Sequence, residues 1–172
     1  GFFYPYREWD PGKEFMKAWA PQQKHDISFS GGSEKITFNL GAGYLGQTGV
    51  IKVNPDEFNR YNLTSSINAD VTNWFSARGK MMFSNTLTTA PFSYGGTTYD
   101  PLYYLYRWPS QYPYGTYEGL PFRNAVSEIE QAKMTENRNN LSRISLGGTF
   151  KVAKGFTVGA DYTYAGINGH RH

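Results

Sequence analysis

The chain has 172 residues, a formal net charge of +3, no cysteine and an aromatic content of 17%. The length fits one ordinary domain, and the absence of cysteine excludes a disulfide framework. The lysines and arginines are scattered and form no stripe, so nucleic acid is not an expected partner. No apolar run is long enough for a membrane-spanning helix, which excludes a helical membrane protein. The many aromatic residues and the 19 glycines suit a sugar-binding β-sandwich or an outer-membrane barrel.

A short helix is predicted first, between Pro11 and Trp19. Six β-strands follow, and in each of them apolar and polar residues alternate with a period of two, which is typical of half-buried strands. The predicted strands span residues 24–30, 35–45, 58–70, 75–85, 137–150 and 155–164. Several of them contain about ten residues, the length that a tilted strand needs to cross a bilayer.

The connections between these strands alternate between short and long. Short turns are predicted at 31–34, 71–74 and 151–154, and long loops at 46–57 and 86–136. Outer-membrane barrels follow this rule, because short turns face the periplasm and long loops face the cell exterior. The alternation therefore favours an antiparallel transmembrane barrel wall, in which residues 1–23 form an extracellular loop and residues 24–172 supply the strands.

Five charged residues lie well inside the predicted strands, each on the polar side of its own strand: Asp26, Arg78, Lys80, Arg143 and Asp161. An Arg or Lys on the lipid face near the midplane would cost about 2–4 kcal/mol. A half-exposed soluble sheet also places its charges on the wet face, so this pattern alone does not decide between the two environments. Together with the alternation of turn lengths, it predicts that these five residues face the lumen of a barrel.

Several segments resemble the early barrel region of SusC/RagA-type TonB-dependent transporters. Residues 15–35 resemble the start of that barrel, where a loop with an AP.Q.H pattern leads into a strand and an SGG..K turn. The segments that follow in the family look similar to residues 43–49, 58–63, 71–75 and 107–114. The resemblance covers most of the chain, and the order of the motifs is more specific than any single motif.

Members of this family are several times longer and close about 22 strands. We therefore expect the chain to be a segment of a larger polypeptide that supplies about six strands of the barrel wall. The resemblance implies a location in the outer membrane of a Bacteroidetes cell and the import of oligosaccharides or peptides. It also implies a SusD-like surface lipoprotein as partner, contact with TonB through an N-terminal region outside this segment, and contact with membrane lipid.

The window from Tyr99 to Tyr117 is the most aromatic part of the chain. Flat aromatic rings can stack on sugar rings, and loops held by a rigid scaffold often carry function. The candidates for substrate contact are Tyr103, Tyr104, Tyr106, Arg107, Trp108, Tyr112 and Tyr114. The competing interpretation is that these aromatics pack the loop onto itself, onto the barrel rim or onto a partner protein.

No catalytic residue, cofactor or metal site is predicted, and the chain is not expected to be an enzyme. His25, His170 and His172 lack ligand spacing with any carboxylate or thiol. The carboxylates are not placed as an acid and base pair by any local pattern, and no glycine-rich segment forms a phosphate loop.

Two other architectures remain open at this point. One is a small complete outer-membrane barrel of about eight strands. The other is a soluble carbohydrate-binding β-sandwich with an aromatic platform. A sandwich would bury Leu40, Ile67, Met81 and Val158 in a common interior, whereas a barrel wall would leave them against lipid.

Overall fold

The computed structural model of the protein describes residues 10–91, 115–122 and 125–171. The elements in chain order are α1 (Pro11–Phe15), β1 (Gln22–Gly32), β2 (Ile36–Thr48), β3 (Glu57–Asp70), β4 (Phe75–Pro91), β5 (Thr116–Tyr117), β6 (Leu120–Pro121), α2 (Ala125–Gln131), β7 (Met134–Ala153) and β8 (Phe156–Arg171). Six of the strands form one antiparallel sheet in the order β1-β2-β3-β4-β7-β8. The prediction of an all-β antiparallel fold is therefore confirmed.

Each strand of this sheet pairs with the sheet strand that comes next along the chain. The small strands β5 and β6 form a separate two-stranded hairpin within the second long connection. The six strands of the sheet correspond to the six that the alternation of apolar and polar residues predicts. The two packed sheets of a sandwich, which the sequence left open, are not formed by the part of the chain that the structure describes.

The strands are longer than their side-chain pattern predicts. β4 continues to Pro91, β7 begins at Met134 and β8 continues to Arg171, where Asn137 of β7 is still paired with Arg171. Strand pairing uses backbone groups, so it persists where the side chains no longer alternate. The predicted loop at 86–136 is shorter than expected for the same reason, and β1 begins at Gln22, inside the predicted loop 1–23.

The N-terminal helix is shorter than predicted, because α1 ends at Phe15. The Asp10 carboxylate caps its start by accepting hydrogen bonds from Gly12 N at 2.9 Å and Lys13 N at 3.4 Å. Pro11 suits the first helical position, where a backbone N–H would have no partner within the helix. Met16 then adopts an extended conformation and forms an isolated antiparallel bridge with Ile51.

The chain divides into two compact units. The sheet unit comprises, among the described residues, 22–46, 58–87 and 137–171. The connection unit comprises, among the described residues, 10–21, 47–57, 88–91, 115–122 and 125–136. Residues that the sequence assigned to loops therefore form a compact unit of their own.

The connection unit has a small apolar core. Its buried members, each no more than 7% exposed, are Phe15, Ile51, Val126 and Ile129. Backbone hydrogen bonds from Lys17 N to Val50 O at 2.7 Å and from Lys52 N to Phe15 O at 2.8 Å join α1 to the first long connection. Burial of these side chains brings both long connections into one packed structure, because α2 belongs to the second of them.

Asn54 links the first long connection to the end of α2. Its side-chain Nδ2 donates to the carbonyl oxygens of Ile129 and Glu130, each at 2.9 Å, and to that of Ala132 at 3.4 Å. The last carbonyls of a helix have no partner within the helix, so an external donor stabilises them. Asn54 has a φ of +43°, in the left-handed region that asparagine tolerates better than most other residues.

Two substitutions of Asn54 are expected to loosen α2. Comparing them separates the contribution of the side-chain amide to stability from that of the backbone conformation. Asn54→Gly removes the amide but suits the positive φ, and should cost about 1–3 kcal/mol of local stability. Asn54→Ala should cost about 1 kcal/mol more, because alanine is strained in the left-handed region. Hydrogen exchange of the α2 amides in the full polypeptide measures both values. Equal protection in the two variants would contradict the role assigned to the backbone conformation.

Candidate functional site

The pairing register of β7 with β8 sorts their side chains onto two faces, since successive residues of a strand point in opposite directions. One face, which we call the apolar face, carries the pairs Ile144–Tyr164, Leu146–Tyr162 and Phe150–Val158. The other, which we call the polar face, carries the pairs Arg143–Ala165, Ser145–Thr163 and Gly147–Asp161. Contacts extend both faces to β4: a Cβ on Gly79 would lie 3.7 Å from Leu146, and Arg78 reaches Asp161.

The apolar face is open. Leu40, Ile67, Met81 and Val158 remain 42% to 49% exposed. Within the described residues, these side chains therefore do not interdigitate in a common interior, as a two-sheet sandwich would require. Sequence reasoning identified this face correctly because burial on one side of a sheet imposes a period of two on the sequence.

Aromatic residues bound the apolar face at both ends. Beside two of the short turns, the ring centroids of Phe75 and Phe150 are 4.6 Å apart, and Trp74 lies 6.1 Å from Phe150. Toward the long connections, the rings of Tyr44 and Tyr61 are 5.0 Å apart. Between these two ends the apolar face carries aliphatic side chains and glycines, together with the rings of Tyr162 and Tyr164 on β8. Rings at both ends are typical of a surface that crosses an apolar layer with polar boundaries.

Beyond Tyr44 and Tyr61, amide side chains replace apolar side chains on this face. The Tyr44 hydroxyl donates to Asn59 Oδ1 at 2.8 Å, and the amides of Asn85 and Asn140 are hydrogen-bonded to each other. From Phe75 to Asn85 the strand advances ten residues, or roughly 33 Å at about 3.3 Å per residue. At the tilt of about 40° that strands have in outer-membrane barrels, this length would span a band about 25 Å tall.

Arg78 of β4 and Asp161 of β8 meet on the polar face, across β7. Arg78 Nε donates to Asp161 Oδ1 at 2.8 Å, Nη2 donates to Oδ2 at 2.5 Å, and Nη1 donates to Thr149 Oγ1 at 2.8 Å. Two parallel hydrogen bonds between a guanidinium and a carboxylate fix both groups in one geometry. The pair passes directly over Gly147, where a Cβ would lie 2.6 Å from Arg78 Nε and would collide with the Asp161 carboxylate.

Gly147→Ala is therefore expected to separate Arg78 from Asp161. Because the added Cβ would also lie 3.0 Å from Arg78 Cγ, the stem of that side chain has to move with its guanidinium, and the cost should be about 1–3 kcal/mol. Gly159→Ala on β8 is the matched control, because its Cβ would make ordinary contacts of 3.7 Å and 3.8 Å with Gly148 O and Thr149 Oγ1. Thermal unfolding of the assembled protein compares the two variants, and an equal effect would refute the role assigned to Gly147.

Lys80 and Arg143 lie next to this ion pair on the polar face. Since Arg78 lies beside Gly147 and the strands are antiparallel, Lys80 lies beside Ser145, and Arg143 is the next residue of β7 on the same face. The charge of Lys80 attracts Asp161. Among the described residues, neither Lys80 nor Arg143 has a carboxylate within 4.0 Å.

Asp26 lies apart from the other predicted lumen-facing residues. It belongs to β1, which β2 and β3 separate from β4. Its carboxylate lies 3.0 Å from Lys24 Nζ, and a Cβ on Gly43 would lie 2.7 Å from Asp26 Oδ1. The structure therefore brings four of the five predicted residues together and leaves Asp26 with its own local partner.

Sequence reasoning missed the residues that organise this cluster. Gly147 provides the space for the ion pair, Thr149 accepts from Arg78, and the hydroxyls of Ser145 and Thr163 lie 2.9 Å apart. The alternation placed these residues on the polar side, but it contains no information about which strands are neighbours. The predicted substrate-contact residues lie outside the described residues: Tyr103, Tyr104, Tyr106, Arg107, Trp108, Tyr112 and Tyr114.

Among the residues that the structure describes, no helix is long and apolar enough to cross a bilayer. In the same ranges, no group of three or more His, Asp or Glu side chains is arranged to hold a metal ion.

The chain is similar in structure to a chain of the RagAB peptide importer in its closed-closed state, with a TM-score of 0.74 and 22% sequence identity. The match covers 96% of this chain and 19% of that chain, so this chain spans about a fifth of the length of the solved chain. No protein-family model and no curated protein matches the sequence. The similarity establishes the fold, in agreement with the predicted antiparallel all-β segment.

Proposed function

We propose that the chain is part of the barrel wall of an outer-membrane TonB-dependent transporter of the SusC/RagA type. The observation that carries this proposal is the single sheet with one open apolar face, which ends in aromatic rings and amide groups. Its aromatic ends, at Trp74 and Phe150 on one side and at Tyr44 and Tyr61 on the other, match the positions of the two membrane interfaces. The structural similarity to a chain of a peptide importer supports the same conclusion.

In this proposal the apolar face contacts lipid, and the polar face meets the plug domain that such transporters hold inside the barrel and the solvated lumen around it. Polar side chains are then hydrated or paired with each other, as Arg78 is with Asp161. The strands extend beyond the membrane on the side of the long connections, because β7 alone contains 20 residues and a span needs about ten. The long connections are then extracellular loops, as on other outer-membrane barrels.

The imported substrate is a peptide or an oligosaccharide, taken up together with a SusD-like surface lipoprotein and driven by TonB. The resemblance of residues 15–35 and of the later motifs to SusC/RagA-type transporters supports the partner and the energy source. The similar solved structure is named as a peptide importer, which favours peptides as the first substrates to test.

The test uses the complete parent polypeptide in its own organism. Deleting its gene is expected to abolish the uptake of labelled peptides or oligosaccharides, and a plasmid copy should restore it. Uptake should stop when the proton-motive force is dissipated, because transport through TonB depends on it. The polypeptide should fractionate with the outer membrane and purify with a lipoprotein. Unchanged uptake of both substrate classes in the deletion strain would reject the proposal.

A further inference from the structure

The polar face carries more positive than negative charge where β4, β7 and β8 lie side by side. Three cations, Arg78, Lys80 and Arg143, share this area with one carboxylate, that of Asp161. Arg78 engages both oxygens of that carboxylate. Like charges on neighbouring positions of a sheet repel each other, so the remaining two cations make this area attractive to an anion.

Two hydroxyl groups complete the surroundings of the free cations. Ser145 lies between Lys80 and Arg143 on the polar face, and its Oγ is 2.9 Å from Thr163 Oγ1 on β8. Either hydroxyl can donate to an incoming oxygen. Both cations are exposed in the described structure, and Thr163 is exposed as well.

The contacts of Arg78 on the same face indicate which kind of anion Lys80 and Arg143 would bind. Its planar guanidinium holds a carboxylate through two parallel hydrogen bonds, the geometry that distinguishes arginine from a point charge. Arg143 presents the same group two positions beyond Ser145 without a carboxylate from the described residues. On β3, Arg60 is a further cation, and its buried Nε has no acceptor in the part of the chain that the structure describes.

We propose that Lys80 and Arg143, with the hydroxyls of Ser145 and Thr163, bind a carboxylate group of the imported substrate. The inference rests on the proposed import function and names its ligand class: oligomers that carry carboxylates, supplied by acidic peptides or by acidic sugar chains. Lys80 and Arg143 lower the free energy of an acidic substrate bound at the barrel wall relative to a neutral substrate of the same size. It thereby makes the transporter selective for charge.

The experiment uses the complete transporter with its lipoprotein partner, purified together. Two probe pairs separate charge from size: a glutamate-rich hexapeptide with its glutamine counterpart, and an oligogalacturonate with its methyl ester. The acidic member of at least one pair should bind about three- to tenfold more tightly, which corresponds to one or two exposed charge contacts. The preference should shrink as the salt concentration rises, because exposed charges are screened. The responding pair identifies the source of the carboxylate.

The double variant Lys80→Gln and Arg143→Gln should reduce the preference for the acidic probe to about onefold while the neutral probe binds as before. Lys24→Gln is the matched control, because Lys24 is also near the polar side of a strand but is engaged with Asp26. If the double variant fails to assemble, the single variant Lys80→Gln and the salt dependence of the unmodified protein test the same claim.

The outcomes distinguish this inference from the proposed function. Equal binding of acidic and neutral probes by the unmodified transporter overturns the carboxylate site and leaves the import function intact. A preference that survives in the double variant also overturns the site. If no probe of either pair binds and the deletion strain takes up both substrate classes normally, the proposed function fails and the site fails with it.

Discussion

Ile67→Arg is expected to destabilise the assembled barrel by about 2–4 kcal/mol. Ser66→Arg in the same strand should cost no more than about 1 kcal/mol, including repulsion from Lys80, which lies opposite residue 66 on β4. The two residues are adjacent on β3 and point to opposite faces of the sheet. Ile67 is 49% exposed on the apolar face, and its Cγ2 would lie 3.3 Å from a Cβ on Gly79. This position is near the middle of the apolar band, where a charge is most costly.

The difference between the two variants depends on what covers the apolar face. A guanidinium at residue 67 must leave water for acyl chains, or bend toward an interface, whereas one at residue 66 stays hydrated on the polar face. In a soluble sheet that faces water on both sides, both variants would be tolerated. The pair therefore tests the environment of the sheet directly, without knowledge of the substrate.

The full polypeptide should be refolded into lipid vesicles and unfolded with urea, and its outer-membrane level should be measured in cells. Ile67→Arg should lower both the unfolding free energy and the outer-membrane level. Similar values for Ile67→Arg and Ser66→Arg would show that the apolar face does not contact lipid and would remove the main support for the proposed function.

Phe15→Ala is expected to destabilise the connection unit by about 3–5 kcal/mol. Phe15 is 3% exposed and packs in the core with Ile51, Val126 and Ile129. Removing its ring leaves a cavity in a core to which the described residues contribute four buried side chains. A core of this size should lose its ordered packing when one large member is deleted.

Trp19→Ala is the matched control for this prediction. It removes a larger aromatic ring from the same segment, but Trp19 is 73% exposed and contributes little buried area. Limited proteolysis and hydrogen exchange at residues 49–54 and 125–131 should show increased opening in Phe15→Ala and little change in Trp19→Ala. Unchanged protection in both variants would show that this core does not hold the connections together.

The faces of the sheet could be predicted because they depend on local sequence. The alternation around Leu40 and Ile67 assigned each side chain to a face, and the described structure keeps that assignment. The ends of the strands could not be predicted, because β4 and β8 continue through backbone pairing where no alternation remains. The hydrogen-bond donors and acceptors of the backbone are the same for every residue except proline, so the sequence does not indicate where backbone pairing ends.

The connection unit shows that contacts between distant parts of the chain could not be predicted either. Residues 46–57 and 86–136 lack any sustained alternation and were therefore predicted to be loops. In the structure, Phe15, Ile51 and Val126 form a common core, and Asn54 donates to carbonyls more than 70 residues away. Contacts between residues so far apart depend on the path of the whole chain, which a local pattern does not contain.

The sequence by itself determined the number of sheet strands and the apolar and polar faces. It also placed four charged residues on the polar sides of their strands: Arg78, Lys80, Arg143 and Asp161. Only the tertiary structure decided that Arg78 and Asp161, 83 residues apart, meet above Gly147 and that no carboxylate of the described residues pairs with Lys80 or Arg143. The physical reason is that a side chain's face follows from its position along its own strand. Its neighbours follow from strand order and register, which are set by the pairing of the whole sheet.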